Sequence, residues 1–213
     1  MIKVIFFDFD GVILESVDIK TNAFAELFER EGKDVVEKVV DYHLKNTGIS
    51  RYEKFRYVYR EILKRPLDDK EFNVLCNNFA GLVVEGVLKA PYVKGAKEFL
   101  ENYTSEYKCY VVSATPQVEL EEIILKRYMS HFFKSIYGAP TKKSNAVRNI
   151  LMSERIDSNV AVYVGDALSD YKAAIDNFVH FIARINNNED VFTAIDCPKV
   201  KDLTNLKAIL DSM

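Results

Sequence analysis

The sequence predicts an α/β protein: a parallel sheet with helices on both faces, and a helical bundle inserted after the first strand. Two observations favour this fold. From residue 91 onward, strand and helix patterns alternate, which is typical of a parallel sheet. Before that point, amphipathic helical patterns follow one another without an intervening strand. We therefore expect a core domain at residues 1–15 and 90–213 and a helical cap domain at residues 16–89.

The composition is that of an ordinary globular protein with a sizeable apolar core. Of 213 residues, 48% are apolar and 29% are charged. The formal net charge of −3 provides no basic surface for nucleic acid, which makes a small-molecule partner the better expectation. The sequence leaves the oligomeric state open and is compatible with a monomer.

Neither cysteine spacing nor hydropathy indicates a secreted or membrane protein. Cys76, Cys109 and Cys197 are widely separated and form no C-x-x-C pair, so neither a disulfide framework nor a thiolate metal site is predicted. The N-terminal apolar run is short and is interrupted by Asp8, and no stretch is long enough to span a bilayer. We expect a soluble, cytoplasmic protein with no membrane partner.

A buried strand opens the chain and ends at two acids. Its apolar run stops at Asp8, and Asp10 and Gly11 follow after one aromatic residue. Ligands of open parallel sheets bind beyond the carboxyl ends of the strands. Both carboxylates are therefore expected at a ligand site.

The cap helices are predicted from helical spacing and capping residues. The first is expected over residues 18–32, with Gly32 as a left-handed C-cap, and Asp34 is expected to cap the second. Ser50 and Glu53 match a capping box for the third helix, and Asp68 is expected to cap the fourth.

The core elements are predicted from the alternating patterns. Strands are expected at residues 107–113, 134–138, 160–165 and 179–183, and helices at residues 94–103, 116–127, 143–154, 169–177 and 203–210. Thr115 is expected to cap the second of these helices, with Pro116 as its first residue.

Polar residues follow these later strands as well. Ser113 ends one strand, Lys142 and Lys143 follow the next, and Asp166 and Asp170 follow the third. All of them are expected at the same sheet edge as Asp8 and Asp10.

Such a cluster of acids requires a cation. Two carboxylates in contact repel by roughly 4 kcal/mol at an effective dielectric constant of about 20. An oxygen-only donor set without a histidine or cysteine cluster favours Mg²⁺, which commonly binds carboxylates together with a substrate phosphate. With a lysine added, the cluster predicts phosphoryl transfer.

Together these residues resemble the four motifs of the haloacid dehalogenase superfamily: DFDGV, Ser113, Lys143 and GDALSD. The resemblance is to the phosphoglycolate phosphatase and β-phosphoglucomutase-like group, and it implies a Rossmann-like core with a helical cap of the C1 type. It implies that Asp8 attacks phosphorus to form an aspartyl-phosphate and that Asp10 exchanges the proton. Ser113 and Lys143 would then hold the phosphoryl oxygens.

The resemblance also implies the metal ligands and the residues around the substrate. Asp8, the main-chain carbonyl of Asp10 and Asp166 would bind Mg²⁺, and Asp170 would support the site or add a ligand. Of the two lysines, the G-x-P-x-x-K spacing from Gly138 favours Lys143 over Lys142. Candidate substrate-binding residues are Gly11, Ala114, Lys20 and Arg51.

The expected function is a Mg²⁺-dependent phosphatase acting on a small phosphorylated metabolite, such as a sugar phosphate or a phosphoglycolate-like compound. Asp10 favours it over a dehalogenase, because a departing alkoxide needs a proton and a halide does not. Arg51 lies in GISRYEKF, which resembles the specificity loop of β-phosphoglucomutase-like caps, so a phosphomutase is the alternative. Those mutases carry a histidine where this chain has Lys20, which weakens that alternative.

Two further interpretations receive less support. A non-enzymatic phospho-accepting module would be shorter and would carry its acceptor aspartate after a middle strand. The three histidines, His43, His131 and His180, have no spacing typical of a metal site or a catalytic triad, and they are expected at the surface or in packing positions.

Overall fold

The computed structural model describes residues 1–186 and 191–213. Its strands are β1 (Val4–Phe7), β2 (Lys108–Pro116), β3 (Ser135–Ala139), β4 (Ala161–Gly165), β5 (His180–Arg184) and β6 (Lys199–Val200). They form one parallel sheet in the order β3-β2-β1-β4-β5-β6. The predicted fold class is confirmed.

Helices cover both faces of this sheet and fill the segment between β1 and β2. Their bounds are α1 (Val17–Leu27), α2 (Lys33–Lys45), α3 (Arg51–Tyr57), α4 (Asp69–Lys89), α5 (Ala96–Tyr103), α6 (Gln117–Lys126), α7 (Lys143–Ser153), α8 (Leu168–Ile175) and α9 (Leu206–Asp211). A π-helical turn, Val58–Ile62, continues α3.

The alternation of side chains along the strands builds two apolar clusters, one on each face. On one face, Phe6 lies 5.6 Å from Tyr110 and 6.2 Å from Tyr163 between ring centroids, and helices α7 and α8 cover this layer. On the other face, Phe7 packs edge-on against Phe99 of α5 at 6.0 Å. Helices α5, α6 and α9 cover this second layer.

The helices between β1 and β2 pack around buried aromatic side chains. Phe24, Phe28, Phe55 and Phe79 are each at most 2% exposed, and the rings of Phe24 and Phe79 lie 4.6 Å apart. This aromatic cluster is continuous with the apolar layer on one face of the sheet. That residues 16–89 form a separate cap domain stays a prediction. We call helices α1 to α4 the cap helices.

Of the predicted N-caps in this segment, those at Ser50 and Asp68 are confirmed and the one at Asp34 is wrong. The Ser50 hydroxyl accepts from the Glu53 N–H at 3.4 Å, and the Asp68 carboxylate accepts from the Glu71 N–H at 2.7 Å. Helix α2 begins before Asp34, which lies in its first turn and not at its N-cap.

The end of the first cap helix also differs from the prediction. Helix α1 stops at Leu27, and a short 3-10 turn over Glu29–Glu31 leads to Gly32. The φ of Gly32 is 93° but its ψ is 159°, so the residue does not adopt the left-handed helical conformation of a C-cap.

Two predictions in the core require correction. Thr115 does not cap a helix, because β2 continues to Pro116 and α6 begins at Gln117. The short strand β6 was not predicted, since two residues are too few to show an alternating pattern.

Within the part of the chain that the structure describes, no helix combines the length and the hydropathy needed to cross a membrane.

Truncating the cap's aromatic cluster is expected to destabilise the protein strongly. Phe55→Ala removes a fully buried ring that contacts Phe24 and Phe79, and we expect a loss of about 3–5 kcal/mol in the free energy of unfolding, measured by urea denaturation. Val118→Ala at a 75% exposed position is the control and is expected to change it by less than about 0.5 kcal/mol. Similar small losses for both variants would contradict this account of the cap.

Candidate active site

The strand register brings the predicted site residues to one sheet edge. Phe7 at the end of β1 pairs with Val111 of β2 and with Val164 of β4. The next residue, Asp8, therefore leaves the sheet between these two strands, and its N–H donates to the Val164 carbonyl at 3.0 Å. Ser113 and Asp166, which follow on the neighbouring strands, come to the same edge.

Three carboxylates and one ammonium form the centre of the site. Asp8, Asp166 and Asp170 are buried, and one oxygen of each lies within 4.8 Å of the others. The Lys143 ammonium lies 2.9 Å from Asp8 and 2.6 Å from Asp170. Lys142 is exposed, so the structure brings Lys143 and not Lys142 into the cluster.

Burial and mutual repulsion shift the pKa values in this cluster. Burial raises the pKa of Asp8 to about 7, with Asp170 and Asp10 adding to the rise and Lys143 opposing it. Burial also raises the pKa of Asp166 well above its ordinary value, as do the charges of Asp8 and Asp170. For Lys143, burial lowers the pKa, but the two carboxylates it contacts outweigh burial and raise it.

These shifts mean that one ammonium does not compensate three buried carboxylates. The donor set consists of oxygens alone, which suits Mg²⁺, and a bound cation would favour the charged form of each acid. Both oxygens of Asp170 already accept hydrogen bonds, from Lys143 at 2.6 Å and from the Ala167 N–H at 3.0 Å. One oxygen of Asp166 accepts from the Asn186 amide at 2.9 Å. Asp166 is therefore better placed as a ligand than Asp170, whereas Asp8 is as fully engaged as Asp170, since its two oxygens contact the Phe9 N–H at 2.7 Å and Lys143 at 2.9 Å.

Asp10 lies in a different electrostatic environment from Asp8. Its carboxylate accepts hydrogen bonds from the Ser16 hydroxyl at 2.6 Å, from the Thr115 hydroxyl at 2.7 Å and from the Lys20 ammonium. Burial raises its pKa, but the charge of Lys20 and the three hydrogen bonds outweigh burial and lower it to about 2. Ser16 and Thr115 were not predicted as site residues, because no motif or spacing distinguishes them.

Gly11 occupies a position that only glycine suits. Its φ is +75°, and a Cβ there would lie 2.2 Å from Asp166 Oδ2. Its carbonyl accepts from Arg184 at 3.0 Å, which orients the loop after β1. The last residues of β2 include Ser113 and Ala114, which line a cavity between the sheet edge and the cap helices.

The cap side of this cavity carries basic residues. Lys20 of α1 and Arg51 of α3 both line it, as predicted for substrate-binding residues. The Arg51 guanidinium, however, pairs with Glu119 of α6 and stacks over the Phe79 ring at 4.6 Å. Its charge is thus matched by a carboxylate of the core, which sequence alone did not indicate.

Comparison with known proteins identifies the family. The sequence pattern of haloacid dehalogenase-like hydrolases matches residues 5–184. The chain belongs to this family. No curated protein matches the hydrolase.

Solved structures share its fold over nearly the whole chain. A β-phosphoglucomutase from Clostridium difficile is 16% identical, with a TM-score of 0.79 and coverage of 99% of this chain and 96% of that one. CbbY from Rhodobacter sphaeroides, solved in complex with phosphate, is 18% identical, with a TM-score of 0.77 and coverage of 99% and 100%. A predicted phosphoglycolate phosphatase from Haemophilus somnus 129pt is 16% identical, with a TM-score of 0.75 and coverage of 98% and 97%. At these identities the likeness shows the fold alone.

Two further residues of the hydrolase line the cap side of the cavity and were not predicted as site residues. The His43 ring of α2 accepts at Nδ1 from the Lys54 ammonium of α3 at 2.8 Å, and both side chains are buried. His43 also packs on Phe24 at 4.6 Å, in agreement with a packing role, while His131 and His180 are exposed. Burial lowers the pKa of His43 to about 2, and the charges of Lys54 and Lys20 contribute.

This depressed pKa predicts a loss of stability in mild acid. Unfolded His43 takes up a proton below its ordinary pKa of 6.5, whereas the folded ring stays neutral. Its contribution to stability is therefore complete above pH 6.5 and is lost as the pH falls, by about 1.4 kcal/mol per pH unit. Between about pH 7.5 and about pH 5, the unfolding free energy should fall by about 2 kcal/mol more in the natural chain than in His43→Gln. Urea denaturation measures both, and equal losses would refute the prediction.

Proposed function

We propose that this hydrolase removes the phosphoryl group from a small phosphorylated metabolite in a Mg²⁺-dependent reaction. The observation that carries the proposal is the placement of Asp8, a buried carboxylate with the Lys143 ammonium at 2.9 Å, in a cavity that Ser113 and Asp166 also line. A nucleophilic oxygen, hydroxyl and ammonium donors and an oxygen site for a metal are the groups that phosphoryl transfer requires. The phosphate bound by CbbY supports a phosphorylated ligand.

In this proposal Asp8 is the nucleophile. One carboxylate oxygen forms a bond to phosphorus while the bond from phosphorus to the ester oxygen breaks, which leaves an aspartyl-phosphate and an alcohol. Lys143 and the Ser113 hydroxyl donate to the phosphoryl oxygens as negative charge develops on them. Water then attacks phosphorus, inorganic phosphate leaves, and the Asp8 carboxylate is restored.

Asp8, Asp166 and the Asp10 carbonyl would hold Mg²⁺, which when bound supplies the positive charge that the carboxylates and the substrate phosphate both need. Asp170 holds Lys143 in place at 2.6 Å and is itself fixed by the Ala167 N–H at 3.0 Å. In this role Asp170 positions the ammonium and has no direct contact with the substrate.

Asp10 moves the proton in both steps. It protonates the leaving alkoxide in the first step and accepts a proton from the attacking water in the second. The contacts with Lys20, Ser16 and Thr115 keep its carboxylate deprotonated, which suits the second step. The first step requires that Asp10 take up a proton, and a substrate that draws Lys20 away from Asp10 would favour that uptake.

A phosphomutase is the second candidate, because the loop around Arg51 resembles that of β-phosphoglucomutase-like caps. Such an enzyme would return the phosphoryl group from Asp8 to another hydroxyl of the sugar. Lys20, which stands where those mutases carry a histidine, argues for hydrolysis. Incubation with a sugar phosphate separates the two, since a phosphatase releases inorganic phosphate and a mutase forms the isomer without it.

Membership in a hydrolase family argues against a non-enzymatic phospho-accepting module. We also place the enzyme in the cytoplasm, because Cys76 and Cys109 form no disulfide.

The first functional prediction concerns Asp8→Asn. The change is nearly isosteric and removes the nucleophilic charge, so we expect phosphate release to fall at least about a thousandfold on every substrate of a phosphorylated-metabolite panel assayed with Mg²⁺. Asp69→Asn at an exposed position of the cap is the matched control and should keep full activity. Retention of activity by Asp8→Asn would refute the proposed nucleophile. Equal activity of the natural chain with Mg²⁺ and with a chelator would refute the metal requirement.

The second prediction concerns Arg51→Ala. If Arg51 contacts the substrate beyond its phosphate, kcat/KM for the preferred metabolite should fall about tenfold or more, whereas that for a small aryl phosphate should change little. Glu119→Gln is the companion variant, because it removes the charge that Arg51 pairs with and keeps the guanidinium. Equal losses on all substrates in both variants would instead assign Arg51 to the contact between α3 and α6.

A further inference from the structure

Lys54 is a buried basic residue that pairs with no carboxylate in the described part of the chain. Its side chain lies in the cap wall of the cavity and is 2% exposed. Among the residues that the structure describes, its ammonium makes one hydrogen bond, to His43 Nδ1 at 2.8 Å, and it lies 5.5 Å from the Phe24 ring centroid. An ammonium has three donors, so two remain for a ligand.

The other basic residues of the cavity differ from Lys54 in this respect. Lys20 pairs with Asp10, Lys143 with Asp8 and Asp170, and Arg51 with Glu119. Each of those charges is compensated within the protein. Lys54 forms no ion pair with a carboxylate of the described chain, and Asp10 and Asp166 favour its charge only from a longer distance.

His43 is the hydrogen-bond partner of this ammonium. Because an ammonium can only donate, Nδ1 of His43 accepts, and the proton of the neutral ring lies on Nε2. Nε2 is buried and has no hydrogen-bond partner among the described residues. His43 also lines the cavity. Because Nδ1 and Nε2 lie on different edges of the ring, Nε2 points away from the ammonium, and the contact of His43 with Lys54 is made through Nδ1 alone.

We propose that Lys54 and His43 form an anion subsite in the cap, which binds a second anionic group of the substrate, a carboxylate or a phosphate. This inference rests on the proposed phosphatase function and narrows its substrate class to phosphate monoesters that carry such a group. Lys54 pairs with the anion directly, and His43 orients the ammonium through Nδ1.

An anionic group satisfies this subsite better than a neutral hydroxyl. Burial lowers the pKa of Lys54 well below its ordinary value, and the charges of Lys20 and Lys143 contribute. An anion beside the ammonium opposes this shift and stabilises the charged form, which a neutral hydroxyl does not. The subsite is also separate from the groups that would hold the transferred phosphoryl. Lys54 and His43 lie on cap helices α3 and α2, whereas Ser113 lies near the end of β2 and Lys143 begins α7.

Matched pairs of substrates test the subsite. 3-Phosphoglycerate against glycerol 3-phosphate adds a carboxylate, and glucose 1,6-bisphosphate against glucose 1-phosphate adds a phosphate, while p-nitrophenyl phosphate serves as the reference without a second anion. We expect Lys54→Met to lower kcat/KM by about 10- to 100-fold on the anionic member of at least one pair and by less than about 3-fold on the neutral member and the reference. His43→Gln, which keeps an acceptor for the Lys54 ammonium, should lose less than His43→Ala.

Arg56→Met is the control, because Arg56 lies on the same helix, is exposed and stacks on Phe72. Arg56→Met should leave kcat/KM unchanged on every substrate. Thermal unfolding provides the readout that separates binding from structure. Removing an unpaired buried charge should raise the Tm of Lys54→Met, whereas a purely structural role predicts a lower Tm.

Each other outcome has a distinct meaning. Equal losses on all substrates would assign Lys54 to the transferred phosphoryl group and overturn the subsite, and so would unchanged activity on both pairs. If the natural chain releases phosphate from none of these esters, that result refutes the proposed phosphatase function and does not by itself refute the subsite. Calorimetric titration with the same pairs then decides the subsite: tighter binding of an anionic member that is lost in Lys54→Met supports it, and equal or absent binding of both members overturns it.

Discussion

The buried ammonium of Lys143 is the interaction on which the rest of this site depends. It lies 2.9 Å from Asp8 and 2.6 Å from Asp170, and all three side chains are at most 7% exposed. Loss of one partner from a buried ion pair typically costs about 3–5 kcal/mol, because an uncompensated charge stays behind. The fold supplies the lysine as the first residue of α7, directly after the loop from β3. It supplies Asp8 from the loop after β1 and Asp170 from the first turn of α8, which follows β4.

One ammonium nonetheless does not neutralise the carboxylates around it, and this deficit of positive charge affects the protonation of the neighbouring acids. At Asp8, in the loop after β1, burial and the charges of neighbouring carboxylates raise the pKa to about 7. Two residues further, Lys20 and two hydroxyl groups lower the pKa of Asp10 to about 2. Neighbouring acids with pKa values driven apart are typical of sites that move protons. Binding of a cation beside Asp8 would lower its pKa, so the protonation states of the working enzyme differ from those of the metal-free chain.

The fold and the core of the site followed from the sequence because their signals are local. Alternating apolar patterns gave the strands and helices, and the position of polar residues after successive strands brought Asp8, Ser113, Lys143 and Asp166 to one edge. The choice of Lys143 over Lys142 rested on spacing alone, and the burial of Lys143 agrees with it.

The contacts that were missed join residues far apart in the chain. Glu119 neutralises Arg51 across 68 positions, and Thr115 reaches Asp10 across 105, in place of capping the helix that follows it. Lys54 was part of a recognised loop, but its burial beside His43 depends on how α2 and α3 pack, which hydropathy patterns do not specify. Strand β6 is too short to have a pattern of its own.

The central claim is that Asp8 receives the phosphoryl group of a phosphorylated metabolite. Mass spectrometry of the protein, quenched in acid during turnover with Mg²⁺ and digested, tests it most directly. We predict one phosphoryl group on the peptide that contains Asp8, present while substrate remains and absent in Asp8→Asn. Phosphate release without any modified peptide, or modification of a residue other than Asp8, would contradict the account.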